Sequence, residues 1–360
     1  MIPTTSTEAE THSSRSPGKP PKSTTGLAAN NASKTVVLLV CVVALVVTML
    51  LSIAIGSRNI DLAVVWQAVI SPQDLDEHFV IWDLRIPRTV VAVTVGAALG
   101  IAGALIQALT RNPLADPGIL GVSSGASFAV AIGVGVFGVQ SMTGEVWFAF
   151  AGALLATLAV YAIGSVGRGG GDPLRMVLAG VALGAVLSGL TGAMTLLNPQ
   201  AFDKMRGWGA GSVVGRSLDV VLPVLPFFVI GFVIAMLVAR PLNAVALGED
   251  LARALGAQVM RTRVLTIIAV TLLAGGATAI AGPIGFVGLM VPHVARWIVG
   301  PDQRWIFAYT IVLAPILLLT ADIFGRVLMR PAEIPVGIVT AFVGAPVLIA
   351  LIRRKKASGL

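Results

Sequence analysis

The three histidines are the first candidates for metal or acid–base chemistry, and they lie far apart. His12 is in a segment rich in Ser and Pro, His78 follows a short acidic run, and His293 sits in an apolar stretch beside Pro292. Zinc sites need several ligands at short, characteristic spacings, and this distribution supplies none. We therefore interpret His293 as a structural residue and expect no metal site and no cofactor.

Phosphate chemistry is also poorly supported by the residues present. The only Gly-Lys pair is Gly18-Lys19, and Pro20 follows it where a phosphate-binding loop would continue into a helix. A nucleotide-binding loop of the Walker A type is therefore absent from this chain. Since no Ser-His-Asp grouping stands out either, we do not expect an enzyme. Any ATP hydrolysis would have to come from a partner protein.

Two opposite charges lie within one of the apolar stretches. Asp322 and Arg326 are four residues apart, so on a helix they share a face and can form an ion pair. A carrier driven by protons or sodium normally has carboxylates near the middle of several membrane helices, and this chain does not. If the protein moves a solute uphill, the pattern favours an energy source outside this chain.

The strongest local signal is a short segment between two apolar runs, Ala246–Gly256, which reads ALGEDLARALG. It predicts a short amphipathic helix with a glycine at its end, and three arginines lie within the helix or follow it. A glycine after the last residue of a helix is a common terminator. The pattern fits a rigid helix that receives force from a soluble motor, and it fits an ordinary interfacial helix equally well.

The elements that carry these residues are membrane helices by composition. Of 360 residues, 56% are hydrophobic and only 12% are charged, whereas soluble domains carry about 25% charged residues. Apolar stretches near the roughly 20 residues needed to cross a bilayer recur along the whole chain. The net charge of +8 fits contact with anionic lipid better than nucleic acid, because most cationic residues flank the apolar stretches. The lone Cys41 predicts no disulfide.

We predict an all-α integral membrane protein with ten transmembrane helices. Residues 1–34 read as a disordered cytoplasmic tail, and residues 35–360 as the membrane domain. The expected spans are 35–56, 87–108, 118–138, 145–166, 174–197, 218–239, 263–281, 284–299, 306–326 and 334–352.

Small residues mark helix faces that are expected to pack closely. Gly96, Gly100 and Gly103 share one face of the second span, and Gly180 and Gly184 share one face of the fifth. Such spacing allows the backbones of membrane helices to approach each other.

The distribution of cationic residues predicts the orientation. With both termini inside, 17 Lys and Arg residues fall on the inner side and eight on the outer side. Cytoplasmic loops carry the excess of positive residues in most membrane proteins. The chain is therefore expected to be a multi-pass protein of the cytoplasmic membrane with both termini in the cytoplasm.

Five segments together resemble the FecCD-type permeases of bacterial ABC importers for iron-siderophores, haem and cobalamin. They are the loop described above and the stretches 85–88 (RIPR), 112–118 (NPLADPG), 282–293 (GPIGFVGLMVPH) and 332–346 (AEIPVG and GAP). The resemblance runs from about residue 36 to the C-terminus. It implies a fold like that of the cobalamin importer permease, a type II importer, and leaves the N-terminal tail unexplained.

The resemblance also implies roles for seven residues. In the family, a coupling loop docks on the ATPase subunit. The matching positions in this chain are Gly248, Glu249, Arg253 and Gly256, within a loop near 241–262. In the family, arginines on the outer face receive acidic side chains of a substrate-binding protein. The matching positions in this chain are Arg85, Arg88 and Arg326. These three could instead reach lipid phosphates.

The expected function is therefore a permease subunit that forms the translocation pathway for an iron-siderophore. Its expected partners are cytoplasmic ATP-binding cassette ATPase subunits, an extracytoplasmic substrate-binding protein, membrane lipid, and a second copy or a related permease in a dimer. Haem or cobalamin as cargo, a proton-coupled secondary carrier, and a scaffold or receptor that does not transport remain alternatives.

Overall fold

The computed structural model describes residues 26–28, 30–57, 60–165 and 173–353, and this part of the chain is helical and contains no β-strand. Val80–Arg85 forms a π-helical turn and Pro117–Leu120 a 3-10 turn. The α-helices, numbered in chain order, are α1 Asn31–Ala54, α2 Leu62–Ile70, α3 Asp76–Phe79, α4 Ile86–Thr110, α5 Val122–Gly135, α6 Met142–Ser165, α7 Pro173–Leu197, α8 Pro199–Trp208, α9 Leu218–Val221, α10 Leu225–Ala246, α11 Glu249–Ala254, α12 Val259–Ala281, α13 Val287–Val299, α14 Gln303–Leu328 and α15 Val336–Arg353.

Each of the ten predicted spans overlaps one of the longer helices, and the sixth span also contains the short helix α9. Seven are long and apolar enough to cross a membrane, while the helices at Val122–Gly135, Val287–Val299 and Val336–Ala350 are apolar but shorter. The described structure therefore agrees with an all-α membrane protein. The count of ten crossings stays a prediction.

The predicted sixth span, 218–239, is displaced from the helix that the structure contains. Residues 218–221 form the separate short helix α9, and α10 begins at Leu225 and continues to Ala246. Pro226 lies in the first turn of α10. Backbone N–H groups there have no acceptor within the helix, so proline, which lacks an N–H, costs no hydrogen bond. Hydropathy could not locate this boundary because the sequence is apolar on both sides of it.

The first helix begins earlier than predicted, at Asn31 and not at residue 35. The Asn30 side chain accepts a hydrogen bond from the backbone N–H of Ser33 at 2.8 Å, and the Ser33 hydroxyl accepts one from the Asn30 N–H at 3.3 Å. This reciprocal capping box fixes the helix start. Residues 1–25 and 29 of the predicted tail lie outside the described residues. The N–H groups of Leu27 and Ala28 donate to carbonyls at the end of α13.

Helices α4 and α12 form the centre of the bundle and α14 packs along α4. The predicted close-packing face of α4 is confirmed. A Cβ added at Gly96 would lie 2.9 Å from Cα of Pro315, one at Gly100 would lie 2.6 Å from Cβ of Ala314, and Gly103 meets the backbone of Gly288. Only a residue without a side chain lets the helix axes come this close.

The bundle has two polar ends, which we name by a helix that lies there. The α11 end carries α11, the end of α10 and the starts of α12 and α14. The Asn243 amide of α10 donates there to Asp302, the N-cap residue of α14, at 2.9 Å. The α8 end carries α8, the end of α1, the start of α4 and the loop 329–335. Both residue groups singled out by the sequence lie at these ends, one group at each.

Candidate functional site

Helix α11 occupies the turn between α10 and α12, within the loop predicted near 241–262. Gly248 precedes it with φ of +112°, a conformation that residues with a side chain rarely adopt. Glu249 and Asp250 lie in its first turn, where negative charge is favourable near the exposed N–H groups. The sequence therefore determines where this helix begins.

The end of α11 is a glycine-terminated cap, as predicted. Gly256 has φ of +82°, its N–H donates to the Arg253 carbonyl at 2.9 Å, and the N–H of Ala257 donates to the Ala252 carbonyl at 2.9 Å. This pair of hydrogen bonds is the Schellman motif, which satisfies two carbonyls that the helix leaves open. The cap turns the chain sharply towards α12.

Glu249 attaches α11 to the rest of the molecule. Its Oε1 accepts a hydrogen bond from Nη2 of Arg263 on α12 at 2.6 Å, and its Oε2 accepts one from Arg253 at 3.2 Å. The Arg263 side chain is only 7% exposed, whereas that of Arg253 is 63% exposed. A charge-assisted bond to a buried arginine fixes α11 to α12 far more firmly than an exposed pair could.

The two faces of α11 differ in polarity and in cover. Ala252 is buried between Val245 and Val259, so the inner face is held by a small apolar cluster. Leu251 on α11 is 49% exposed, and Leu247 and Leu255, which flank the helix on either side, are 63% and 64% exposed. Uncovered leucines on a rigid helix are typical of a surface that a partner protein covers.

A cavity of about 430 Å³ lies at the α8 end of the molecule, and one of about 670 Å³ lies at the α11 end. The larger lies at the α11 end between Arg253 and the start of α12 and is lined by Gln258, Met260 and Arg261 among others. It adjoins the exposed side of α11. Arg253 and Arg261 contribute positive charge to the cavity lining, and Val264 and Leu265 contribute apolar area.

The three predicted docking arginines come together at the α8 end, but they are buried. Arg85, Arg88 and Arg326 are 5%, 8% and 1% exposed. The predicted pair of Asp322 with Arg326 is confirmed, and Arg88 shares the same carboxylate, donating from Nη2 to Oδ1 at 2.6 Å. Glu333, in the loop before α15, accepts a second bond from Arg88 at 2.6 Å.

Two of these arginines also bind the end of α1. Arg85 donates from Nη1 to the carbonyls of Ile53 and Ala54 at 2.8 and 2.7 Å, and Arg326 donates to the Ser52 carbonyl at 2.7 Å. These are the last carbonyls of a helix, which have no partner within it. The arginines therefore join α1, α4 and α14. Their predicted role in docking a binding protein stays a prediction.

Two cavities open beside this ion-pair cluster. One of about 360 Å³ is lined by Arg85, Arg88, Arg326 and Asp83, and the other, of about 430 Å³, by Asp203, Lys204 and Trp208. Val214, Arg216 and Glu333 line both, so the cavities share a wall. We call the two cavities together the α8-end groove.

His293 packs edge-on against Trp297, with ring centroids 4.8 Å apart. Within the described ranges no three His, Cys, Asp or Glu side chains cluster as metal ligands would. Neighbouring Arg296 donates to Gln107 at 3.3 Å. Both ring nitrogens of His293 are buried without a hydrogen-bond partner among the described residues, and its interpretation as a structural residue stays a prediction.

Sequence reasoning missed three residues of these surfaces. Arg263 and Arg216 contribute to the sequence argument only as charges in the count of Lys and Arg residues, and Glu333 only as part of the motif at 332–346. Arg263 lies fourteen residues after Glu249 on another helix, so no helical periodicity links them. Glu333 could have been suspected, because an acid in a loop beside an apolar helix needs a partner.

Comparison with known proteins places the chain in a family. Residues 44–354 match the FecCD transport family. The ferric enterobactin transport system permease protein FepD of Escherichia coli K12 is 49% identical over 88% of this chain and 94% of its own. The hemin transport system permease protein HmuU of Yersinia pestis is 33% identical over 86% of this chain and 94% of its own. A solved metal-chelate type ABC transporter in an inward-facing conformation is 28% identical, with a TM-score of 0.78 over 89% of this chain and 99% of that chain.

Proposed function

The chain belongs to the FecCD transport family, and from this premise we propose that it forms the translocation pathway of an ATP-driven importer for a ferric siderophore. It is a multi-pass membrane protein and a permease subunit, as its relatives are. In the proposal it crosses the cytoplasmic membrane ten times, with both termini and α11 in the cytoplasm. The α8 end then faces outward.

The observation that carries the proposal is the construction of α11. The helix is held rigidly to α12 by the 2.6 Å bond between Glu249 and Arg263, and its outer leucines are uncovered. A helix that transmits force must be stiff towards the membrane bundle and must offer area to the motor. We propose that an ATP-binding cassette ATPase covers this face and that its closure moves α10 and α12 together.

The cargo is proposed from the relatives. FepD is named for ferric enterobactin and is 49% identical to this chain, while HmuU, named for hemin, is 33% identical. The higher identity to a siderophore permease favours a ferric siderophore here. A cargo wrapped in its own chelator requires no metal ligands along the pathway, which fits the isolated histidines.

A second permease chain is part of the proposal. Leu196 and Leu197 at the end of α7 are each 85% exposed and Phe342 on α15 is 82% exposed. Apolar side chains at such exposure are compatible with lipid and with a helix of a second copy. We propose a dimer around a central pathway, with an external binding protein delivering cargo to the α8 end.

Uptake of radiolabelled iron tests the proposal. Cells with and without this chain are given a ferric siderophore, haem and cobalamin in parallel, with and without vanadate and with the proton gradient collapsed. Vanadate-sensitive loss of ferric-siderophore uptake is expected. Loss of haem or cobalamin uptake instead would change the cargo, uptake that stops only with the proton gradient would indicate a secondary carrier, and unchanged uptake of all three would contradict the proposal.

A further inference from the structure

The cavity of about 670 Å³ at the α11 end is lined by two arginines from different helices. Arg253 belongs to α11, and Arg261 lies in the first turn of α12. The other described residues that line this cavity are uncharged, and most of them are apolar. Its lining therefore combines positive charge with apolar area.

The two arginines differ in how far their charge is already compensated. Arg253 donates to Glu249 at 3.2 Å and lies 3.7 Å from Asp250, both on its own helix. Arg261 is exposed and forms no ion pair within the described part of the chain. An uncompensated cation at the end of a membrane helix attracts anionic lipid headgroups.

An apolar stripe leads from this cavity along α12. Met260 lines the cavity and is 50% exposed, Val264 follows one turn later, and Ile268, 41% exposed, follows one turn beyond that. Side chains four residues apart share one face of a helix. Ile268 is nine residues from the start of α12, about 14 Å at 1.5 Å per residue. The stripe therefore extends through roughly half of a hydrocarbon core of about 30 Å, which is the depth of one acyl chain.

Helix α6 continues the same apolar surface beside α12. The Tyr161 hydroxyl lies 3.9 Å from Sδ of Met260, and Leu155 and Leu158 are 66% and 54% exposed. Both helices are long and apolar enough to cross a membrane, so this surface lies within the bilayer. A soluble protein can contact the end of the bundle, whereas a phospholipid can occupy the charged cavity and the stripe at once.

We propose that the cavity at the α11 end binds an anionic phospholipid. Its phosphate lies between Arg253 and Arg261, and one acyl chain follows the stripe of α12. Leu247, Leu251 and Leu255 are not part of the cavity lining, so the surface proposed for the ATPase and the lipid site have only Arg253 in common. A phosphate held by one arginine of α11 and one of α12 joins the two helices, which makes the attachment of α11 sensitive to the lipid composition of the membrane.

The test uses the full chain in a neutral detergent and counts bound lipids by native mass spectrometry during titration with phosphatidylglycerol or phosphatidylcholine. Phosphatidylglycerol is expected to bind more tightly than phosphatidylcholine. Arg261→Gln is expected to weaken phosphatidylglycerol binding about fivefold, the contribution of one arginine at an anionic lipid surface, and to leave phosphatidylcholine binding unchanged. Arg261→Lys keeps the charge and should retain part of the affinity. Arg240→Gln is the matched control, since Arg240 is exposed on α10 and does not line the cavity.

A competition experiment separates lipid from free phosphate. Glycerol phosphate has the phosphate group without an acyl chain and is expected not to displace the lipid, so displacement at equal concentration would assign the cavity to a soluble phosphate compound. Equal weakening by Arg261→Gln and Arg240→Gln would mean diffuse attraction, and unchanged binding in Arg261→Gln would leave the cavity to the ATPase; either result overturns the proposal. Thermal unfolding shows that each variant is folded. The assay involves no transport, so its outcome is independent of the uptake experiment.

Discussion

Asp322→Asn is expected to destabilise the α8 end, because one carboxylate there serves two buried guanidinium groups. Asp322 is 1% exposed. Its oxygens accept bonds from Nε and Nη2 of Arg88 at 3.0 and 2.6 Å, and from Nε of Arg326 at 3.0 Å. Asparagine keeps the shape and one acceptor oxygen but removes the charge. Both arginines then remain buried with less compensation than before.

The magnitude follows from the burial of the pair. Removing one partner of a buried ion pair typically costs about 3–5 kcal/mol, because the other charge stays in a medium of low dielectric constant. Glu333 still holds Arg88 at 2.6 Å, and α1 carbonyls still accept from Arg326. The lower end, about 3 kcal/mol, is therefore expected, which is roughly a hundredfold in the folding equilibrium.

Thermal unfolding of the full chain in a neutral detergent measures this change. Asp83→Asn is the matched control, since Asp83 is exposed at the same end and its substitution removes the same charge. The double variant Arg88→Gln with Asp322→Asn is expected to lose less stability than the sum of the two single variants. An Asp322→Asn protein as stable as Asp83→Asn would refute the view that the arginines are structural and would restore them as free docking residues.

Three further predictions concern the α11 end. Glu249→Gln is expected to lower uptake about tenfold, because loss of a charge-assisted hydrogen bond costs about 1.5 kcal/mol or more. Adding Arg263→Gln to Glu249→Gln is expected to lower uptake little further. A variant pair whose losses multiply would contradict a shared role. Gly256→Val is expected to lower uptake while membrane insertion stays intact, since φ of +82° strains any β-branched residue. The uptake of Gly256→Ala should lie between that of the unaltered protein and that of Gly256→Val. Normal uptake in both variants would exclude the cap from the mechanism. Burial raises the pKa of Asp302, but hydrogen bonds from Arg304 and Asn243 and the charge of Arg304 outweigh it and leave the pKa below its ordinary value. The stability that the ionised Asp302 adds is therefore full above the ordinary carboxyl pKa of about 4 and is lost as pH falls through the lower pKa of the folded protein. Asp302→Asn should reduce the loss of stability at acid pH. If the loss of stability at acid pH is unchanged in Asp302→Asn, other groups cause it.

The membrane class and most helix positions could be predicted from the sequence, because hydropathy over about 20 residues depends on composition alone. The start of α10 could not be predicted, since an apolar run does not show where one helix ends and another begins. The cap of α11 at Gly256 could, because a helix-terminating glycine is a local signal. The start of α1 at Asn31 was missed although Asn30 and Ser33 form a local capping box.

The site was predicted less completely than the fold. The four residues of α11 were found together because they lie within nine positions of one another. Arg85, Arg88 and Arg326 were also found together, but by motif and charge. Neither signal carries information on burial, and burial is what decides between an arginine that a partner reaches and one that holds three helices.

By itself the sequence determined the bilayer-spanning character of the chain, the place of α11 and the pairing of Asp322 with Arg326, because each depends on residues close together along the chain. Only the tertiary structure decided that Arg263 holds Glu249, that Asp322 also serves Arg88, and that Nε of Arg216 has no hydrogen-bond partner among the described residues. The partners in the first two contacts are 14 and 234 residues apart. Contacts at such separations are formed by the packing of whole helices, and the burial of one nitrogen is likewise a property of its surroundings and not of its neighbours in sequence.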